Sequence, residues 1–305
     1  MHEDKPLAEL TNFRIGGPAK FFVRVQNKAN LIRLVSALTF VEEDFFVIGG
    51  GFNILASDDG FDGVVINLDF AEILDNGTFI YADAGAKMDD VLEFAKERAL
   101  SGLEWAIGLP GTVGGAVFMN AGAYGGEIKD VVVCVDVLTE GQVVNMDATK
   151  LKFSYRTSIF QKKKDWIILG AYFYLKNGKI CEIVKKQEEL FAKRLTSQPY
   201  HDASAGSTFR RPRPDFYVGT AIKELGLQGT SVGGAQVSTK HAGFIVNNGG
   251  ATAADVEKLV RKIKRAVYTA YNERLQTEYV QLPSRRNKQS VQSDCPQNTG
   301  EELDL

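Results

Sequence analysis

Hydrophobic and polar positions switch repeatedly between two periods along this chain. Lys20 to Val25 reads as a β run, and Ala29 to Leu38 places Leu31, Leu34, Val35 and Leu38 on one helical stripe. Phe45 to Ile48 is a short apolar strand, followed by another at Val64 to Leu68. A second unit repeats the alternation. Phe79 to Ala84 reads as a strand, and Met88 to Ala99 as a helix with Met88, Val91, Leu92 and Ala95 on one face. Strands follow at Val131 to Leu138, Val143 to Met146 and Trp166 to Leu175. The last is apolar almost throughout, which predicts a central strand buried on both faces. Ile180 to Leu195 is an amphipathic helix, and Ser197-Gln198-Pro199 breaks the chain after it. Strands at Gly234 to Val237 and Gly243 to Val246 then lead to a long helix, Ala253 to Leu275, capped near Thr252. A final strand is expected from Thr277 to Leu282.

These periods divide the chain into units at 1–74, 75–196 and 197–283, with the last strand free to return toward the first unit. Residues 284–305 are polar, with almost nothing to bury, and read as a disordered tail. The fold class expected is α+β.

Between the periodic segments lie two stretches that fit neither. Gly49-Gly50-Gly51-Phe52-Asn53 follows a strand directly, and Gly108 to Gly126 holds seven glycines in nineteen positions. So much glycine makes a poor helix or strand. It suits a backbone that wraps a rigid ligand and presents bare N–H groups to phosphates. The first stretch lacks the spacing of a dinucleotide-binding GxGxxG, and no Gly-Lys-Ser or Gly-Lys-Thr marks a P-loop. Two such loops suggest one long, diphosphate-bearing cofactor.

Composition narrows the picture by exclusion. The net charge of −2 gives no global field for nucleic acid. No apolar run reaches the length of a membrane span. Cys134, Cys181 and Cys295 show no pairing or metal spacing, which suits a reducing, cytoplasmic compartment. With only His2, His201 and His241 beside them, no metal centre is expected. His241, next to Lys240 on an expected strand edge, reads as structural.

The motifs IGGGFNIL, GLPGTVGGAVFMNAGAYGGE, FSYRTSIF, SAGSTFRRP, GGAQVSTKHAGFIVN, ATAADV and LQTEY occur in this order over about residues 8 to 283. Together they resemble the UDP-N-acetylenolpyruvoylglucosamine reductases, in the compact form that lacks a substrate-covering insertion. The resemblance implies a two-lobed FAD-binding domain of the vanillyl-alcohol oxidase type, followed by a C-terminal α/β substrate domain. It implies noncovalent FAD, NADPH as reductant, and hydride transfer to the enolpyruvyl group of UDP-N-acetylglucosamine enolpyruvate, a step of peptidoglycan precursor synthesis. The partners expected are these small molecules, with no nucleic acid and no membrane, and the chain is expected to be a monomer.

The resemblance also assigns residues. Gly49, Gly50, Gly51, Phe52 and Asn53 would hold FAD, with Gly108, Pro110, Gly111, Thr112, Gly114, Gly115, Asn120, Ala121 and Gly122. The chemistry needs a cation for negative charge developing on a carboxylate and a proton donor at the adjacent carbon. Arg156 matches the family's arginine, Ser207 its proton donor and Glu278 its glutamate. Ser204 and Thr208 are nearby rivals to Ser207. Tyr155, Arg156, Arg210 and Arg211 are the candidate substrate contacts; Arg210-Arg211 replaces a commoner Lys-Asn pair. Arg14, Gly16 and Gly17 read as structural support. An alternative is another oxidoreductase of the same cofactor fold with noncovalent FAD, acting on a sugar or alcohol; a third reading is a nucleotide-binding module without turnover.

Overall fold

The computed structural model describes residues 1–282; the expected tail lies outside them. Strands β1 (His2–Pro6) and β2 (Pro18–Val25) lead into helix α1 (Lys28–Phe40), capped by the Asn27 side chain, which accepts from Asn30 N–H. After it come β3 (Phe45–Ile48), β4 (Ile54–Ala56) and β5 (Phe61–Leu68). The first sheet has the order β1-β2-β5-β3, and β5 runs parallel to both β2 and β3. The helical stripe expected in α1 is present, and Leu31 and Leu38 are its buried members.

The second unit comprises β6 (Ile73–Asn76), β7 (Phe79–Asp83), α2 (Met88–Glu97), β8 (Leu100–Ser101), α3 (Val113–Met119), β9 (Gly122–Ala123), β10 (Gly126–Glu127), β11 (Val132–Thr139), β12 (Gln142–Asp147), β13 (Ile167–Tyr174), β14 (Lys176–Asn177) and α4 (Ile180–Ser197). Its antiparallel sheet runs β12-β11-β13-β7-β6. The nearly all-apolar strand β13 lies third of five and is buried along most of its length, as its composition predicts. In α2 the buried residues are Met88, Val91, Leu92 and Ala95, the face read from the sequence.

The third unit carries β15 (Ser204–Ser207), α5 (Val218–Glu224), β16 (Ser231–Val232), β17 (Ala235–Val237), β18 (Phe244–Asn247), α6 (Ala253–Tyr271) and β19 (Val280–Leu282). Its sheet is β15-β18-β17-β16. Thr252 and Asp255 form a capping box at the start of α6. The Asp58 carboxylate of the first unit adds bonds from Ala253 N–H (2.7 Å) and Ala254 N–H (3.0 Å). The helix ends four residues before the expected Leu275, because Asn272 turns left-handed (φ 56°) and its N–H closes on the Tyr268 carbonyl.

Three cores hold these units. One joins the inner face of the first sheet and α1 to the whole second unit, another lies under the third sheet and α6, and a small one backs the first sheet. The last includes Leu282, because β19 returns to pair in parallel with β4, Val280 opposite Ile54. The glycine-rich segment departs from its expected form. Thr112 caps a two-turn helix, α3, within it, and Val113, Ala116 and Val117 are buried in the large core. Tertiary packing outweighs the poor helix propensity of its glycines. Among the described residues no helix is long and apolar enough to cross a membrane.

Candidate active site

The turn Gly49–Asn53, between β3 and β4, and the Gly111–Thr112 turn that opens α3 lie against each other. A Cβ added at Gly49 would come 2.5 Å from Thr112 Oγ1, and one at Gly50 would come 2.9 Å from Gly111 Cα. Gly51 has φ +71°, and a Cβ there would fall 2.0 Å from the Leu10 carbonyl oxygen. The N–H groups of Gly50, Gly51, Phe52 and Asn53 donate to no protein acceptor among the described residues. Two backbone turns in contact, one edged with unpaired donors, are suited to a diphosphate. Gly50→Ala therefore pushes the turns apart without straining φ. The cost of overpacking, about 1–3 kcal/mol, corresponds, where it falls on the bound state, to a loss of FAD affinity of about fivefold to 150-fold. Equilibrium titration of the apoprotein with FAD, alongside thermal melting of the apoprotein, checks this; unchanged affinity refutes it.

Not every glycine of the second segment faces that gap. Gly108 is buried, and a Cβ there would strike the Phe191 ring at 2.8 Å and Arg194 Cδ at 3.2 Å, so its missing side chain makes room for α4. Pro110 and Gly115 are exposed, and Gly114 packs on Ala84. Asn120 is fully buried in the left-handed position that ends α3. Its amide donates to Glu127 Oε2 and the Ser154 carbonyl, both at 2.9 Å, and its oxygen accepts from Lys129 N–H. With all of these groups engaged, the side chain braces Ala121, Gly122 and the segment before Arg156.

Arg156 lies in the loop Phe153–Ser158 with φ +53°, a conformation uncommon for a long side chain. Its Nε donates to Glu278 Oε1 at 2.8 Å, and its Nη2 donates to the Gly122 carbonyl at 2.7 Å. Its own carbonyl accepts from Gln161 Nε2 at 2.9 Å, and the Tyr155 ring lies 5.2 Å from its Cζ. Two fixed bonds orient the guanidinium and leave Nη1 without a partner among the described residues. Burial pushes the Glu278 carboxyl above the usual range, against the pull of the Arg156 and Arg210 guanidiniums.

Glu278 is held from two sides. Its N–H donates to the Thr208 carbonyl, while its carbonyl accepts from Asn53 Nδ2 and the next N–H but one, of Val280, reaches the Asn53 carbonyl. The last residue of the first glycine turn is thereby tied to the glutamate strand, and that strand to the Ser207–Thr208 segment. Of the three hydroxyls there, Thr208 Oγ1 accepts from Ile245 N–H and Ser204 Oγ from Gly206 N–H; both residues are buried. Ser207 is exposed at the end of β15. The structure thus pairs Arg156 with Glu278 and sets Ser207 next to Thr208, whose carbonyl meets Glu278 N–H.

Arg210 joins this neighbourhood, donating to Gln161 Oε1 at 3.2 Å and Thr157 Oγ1 at 3.4 Å. Arg211 is exposed, with its Cζ 4.7 Å from the Tyr217 ring, and Tyr155 is exposed as well. Gln161, which bridges Arg156 and Arg210, carries no signal in the sequence beyond its nearness to Arg156. His241 lies in the turn between β17 and β18, not on a strand edge. Its Nδ1 accepts from Gly243 N–H at 3.0 Å, and burial pushes its pKa down, as befits a neutral structural imidazole.

Among the described residues, four buried side-chain polar atoms lack a partner: Trp105 Nε1, Tyr124 Oη, Arg194 Nη2 and Arg210 Nε. All four flank this region. Trp105 packs on Gly126 of the β9–β10 hairpin, Arg194 stacks on Tyr124 in the same hairpin, and Arg210 shares Gln161 with Arg156. Unpaired buried polar groups are rare in folded proteins, and each is a place where a water, an ion or a ligand group can be accommodated.

Two lobes meeting at paired glycine turns, followed by a separate C-terminal sheet, define a flavin-dependent oxidoreductase with an FAD-binding fold of the vanillyl-alcohol oxidase type. The FAD binding domain family matches residues 19–147, and the C-terminal domain of UDP-N-acetylenolpyruvoylglucosamine reductase matches residues 198–282. The chain is 45% identical over 275 residues to the UDP-N-acetylenolpyruvoylglucosamine reductase of Pseudothermotoga lettingae, covering 90% of this chain and 95% of that protein. It is 43% identical over 280 residues to the reductase of the same name from Caldanaerobacter subterraneus, covering 91% and 92%. The crystal structure of the Thermus caldophilus UDP-N-acetylenolpyruvylglucosamine reductase superposes with a TM-score of 0.79 at 32% identity, over 91% of this chain and 97% of that one. The chain belongs to the UDP-N-acetylenolpyruvoylglucosamine reductase family.

Proposed function

We propose that this protein reduces UDP-N-acetylglucosamine enolpyruvate to UDP-N-acetylmuramate with NADPH as the electron source, in the cytoplasm, as a step of peptidoglycan precursor synthesis. The observation that carries this reading is the Arg156–Glu278 pair beside the Ser207 segment, at the edge of the first glycine turn. The unpaired N–H groups of residues 50–53, with the backbone of Gly111, are the groups suited to the FAD diphosphate. Bound there, FAD supplies a centre that takes hydride from NADPH and gives it to the substrate.

The substrate carries a C=C bond conjugated to a carboxylate. Hydride arrives at the carbon β to that carboxylate, negative charge spreads onto the carboxylate oxygens, and the α carbon then takes a proton. Arg156 serves the first demand: its free Nη1 offers N–H groups to a carboxylate while its other bonds hold the plane in place. Ser207 serves the second, giving its hydroxyl proton to the α carbon. Glu278 fixes the arginine by accepting from its Nε, while burial holds its own carboxyl above the usual range. Arg210, with Arg211 and Tyr155 at the rim, suits the nucleotide diphosphate, since a guanidinium pairs well with phosphate oxygens. The protein acts on these small molecules as a monomer.

The test is anaerobic stopped-flow of the two half-reactions, followed by flavin absorbance. NADPH is expected to bleach the flavin, and only the enolpyruvyl sugar nucleotide is expected to restore its colour. Reoxidation by simple sugars or alcohols, without response to the enolpyruvyl nucleotide, refutes the proposal.

A further inference from the structure

Helix α4 contributes an arginine to the interior. Arg194 is only 5% exposed and makes no ion pair at hydrogen-bond distance among the described residues. Its Nε donates to the Ile107 carbonyl at 3.0 Å and its Nη1 to Gln198 Oε1 at 3.3 Å, while Nη2 has no partner. Its Cζ lies 5.2 Å from the Tyr124 ring centroid. Asp89 is the nearby acid, but it makes no ion pair with Arg194 among the described residues; burying a guanidinium without one is costly, and helix packing alone would be met by an apolar side chain. What an apolar residue cannot do is hold a carbonyl and stack a flat face on an aromatic ring at once.

Both partners lead to the site. Ile107 directly precedes Gly108, whose lack of a side chain admits Arg194 Cδ. Tyr124 occupies the turn of the β9–β10 hairpin with φ +51°, a backbone state that an aromatic residue keeps only when its surroundings hold it. The first residue of that hairpin is Gly122, and its carbonyl is the acceptor that seats Arg156 Nη2 at 2.7 Å. A continuous path of contacts therefore runs from Arg194 through the Tyr124 turn to the Arg156 guanidinium.

We propose that Arg194 is a positioning residue: by clamping the Tyr124 turn against Ile107 it sets the Gly122 carbonyl and so the aim of Arg156 at the substrate carboxylate. This rests on the carboxylate-gripping role of Arg156 proposed above. Arg194→Met keeps the volume beside Gly108 and removes the planar donor; Tyr124→Leu removes the stack from the other side.

The test compares two nucleotides on the oxidised holoenzyme by calorimetry: UDP-N-acetylmuramate, which carries the carboxylate, and UDP-N-acetylglucosamine, which does not. Each variant is expected to weaken UDP-N-acetylmuramate by about tenfold or more, the scale on which small misplacements act, and to leave UDP-N-acetylglucosamine unchanged. The double variant should lose no more than either single one, and flavin reduction by NADPH should keep its rate. Equal weakening of both nucleotides, or of neither, overturns the proposal. If Arg194→Met does not fold, Tyr124→Leu decides by the same comparison. A wild-type protein that binds neither nucleotide would refute the proposed function instead, so the two failures are distinguishable.

Discussion

Replacing Arg156 by lysine is expected to slow substrate reduction by roughly 10²–10³-fold, the scale on which a lost charge-stabilising donor acts, while NADPH continues to reduce the flavin at its normal rate. The reason is geometric. The native guanidinium is bonded to Glu278 through Nε and to the Gly122 carbonyl through Nη2, and still has Nη1 for a ligand. An ammonium is a single point with three donors on a flexible stem. It cannot reach both anchors and also present a rigid pair of N–H groups to a carboxylate. Lysine occupies the left-handed backbone position no less well than arginine, so the swap keeps the φ of +53° and the positive charge beside Glu278 and isolates the side-chain shape. Single-turnover measurement of flavin reoxidation by the enolpyruvyl nucleotide is the check. Near-normal reoxidation would show that the carboxylate is held elsewhere.

The second large effect is expected from Ser207→Ala. Reoxidation should fall by roughly 10²–10⁴-fold, the usual span for a lost general acid, with flavin reduction intact. The neighbouring hydroxyls are poorly placed to substitute, because Ser204 and Thr208 are buried and their oxygens are fixed by the Gly206 and Ile245 N–H groups, whereas Ser207 is exposed. Gly206, at φ +74° and with open space where a Cβ would stand, leaves the approach to Ser207 clear. A serine hydroxyl is a weak acid, so its proton moves only toward a strongly basic carbon, which is what hydride addition next to the carboxylate produces. Thr208→Val is the matched control: it removes a hydroxyl one residue away that serves the β18 backbone, and a defect there should appear in thermal stability before it appears in reoxidation. A normal reoxidation rate in Ser207→Ala would move the proton donor to another group.

Several features were legible because they are local. The apolar stripes of α1 and α2 repeat at helical spacing, as does the buried set Val256, Leu259, Val260, Ile263 and Val267 of α6, and the near-continuous apolar run of β13 matches a strand covered on both faces. Burial patterns of this kind arise from each segment's own geometry and need no knowledge of its partners. The Thr252 cap is local as well, since its partner Asp255 lies three residues away. The ordered set of glycine and serine motifs identified the family, because every motif stands in contiguous sequence.

Other features had no local signal. Helix α3 forms through a glycine-rich stretch because Thr112 caps it and its apolar face is buried in the large core, a balance decided by surfaces more than 20 residues away in sequence. Gly108 looked like part of a ligand cradle, yet the atoms that forbid it a side chain belong to Phe191 and Arg194 on α4. Arg194 itself reads as one more basic residue in a lysine-rich helix; only its 5% exposure distinguishes it.

Taken alone, the sequence determined the strand and helix periods, the two bare-backbone turns and membership of a reductase family, because each is written in neighbouring residues. The tertiary structure alone decided that Arg156 meets Glu278 across 122 residues and that Asn53 meets the Glu278 carbonyl across 225. Those contacts depend on β19 pairing with β4 and on how three cores pack, and side chains far apart in sequence have no shared period from which their meeting can be read.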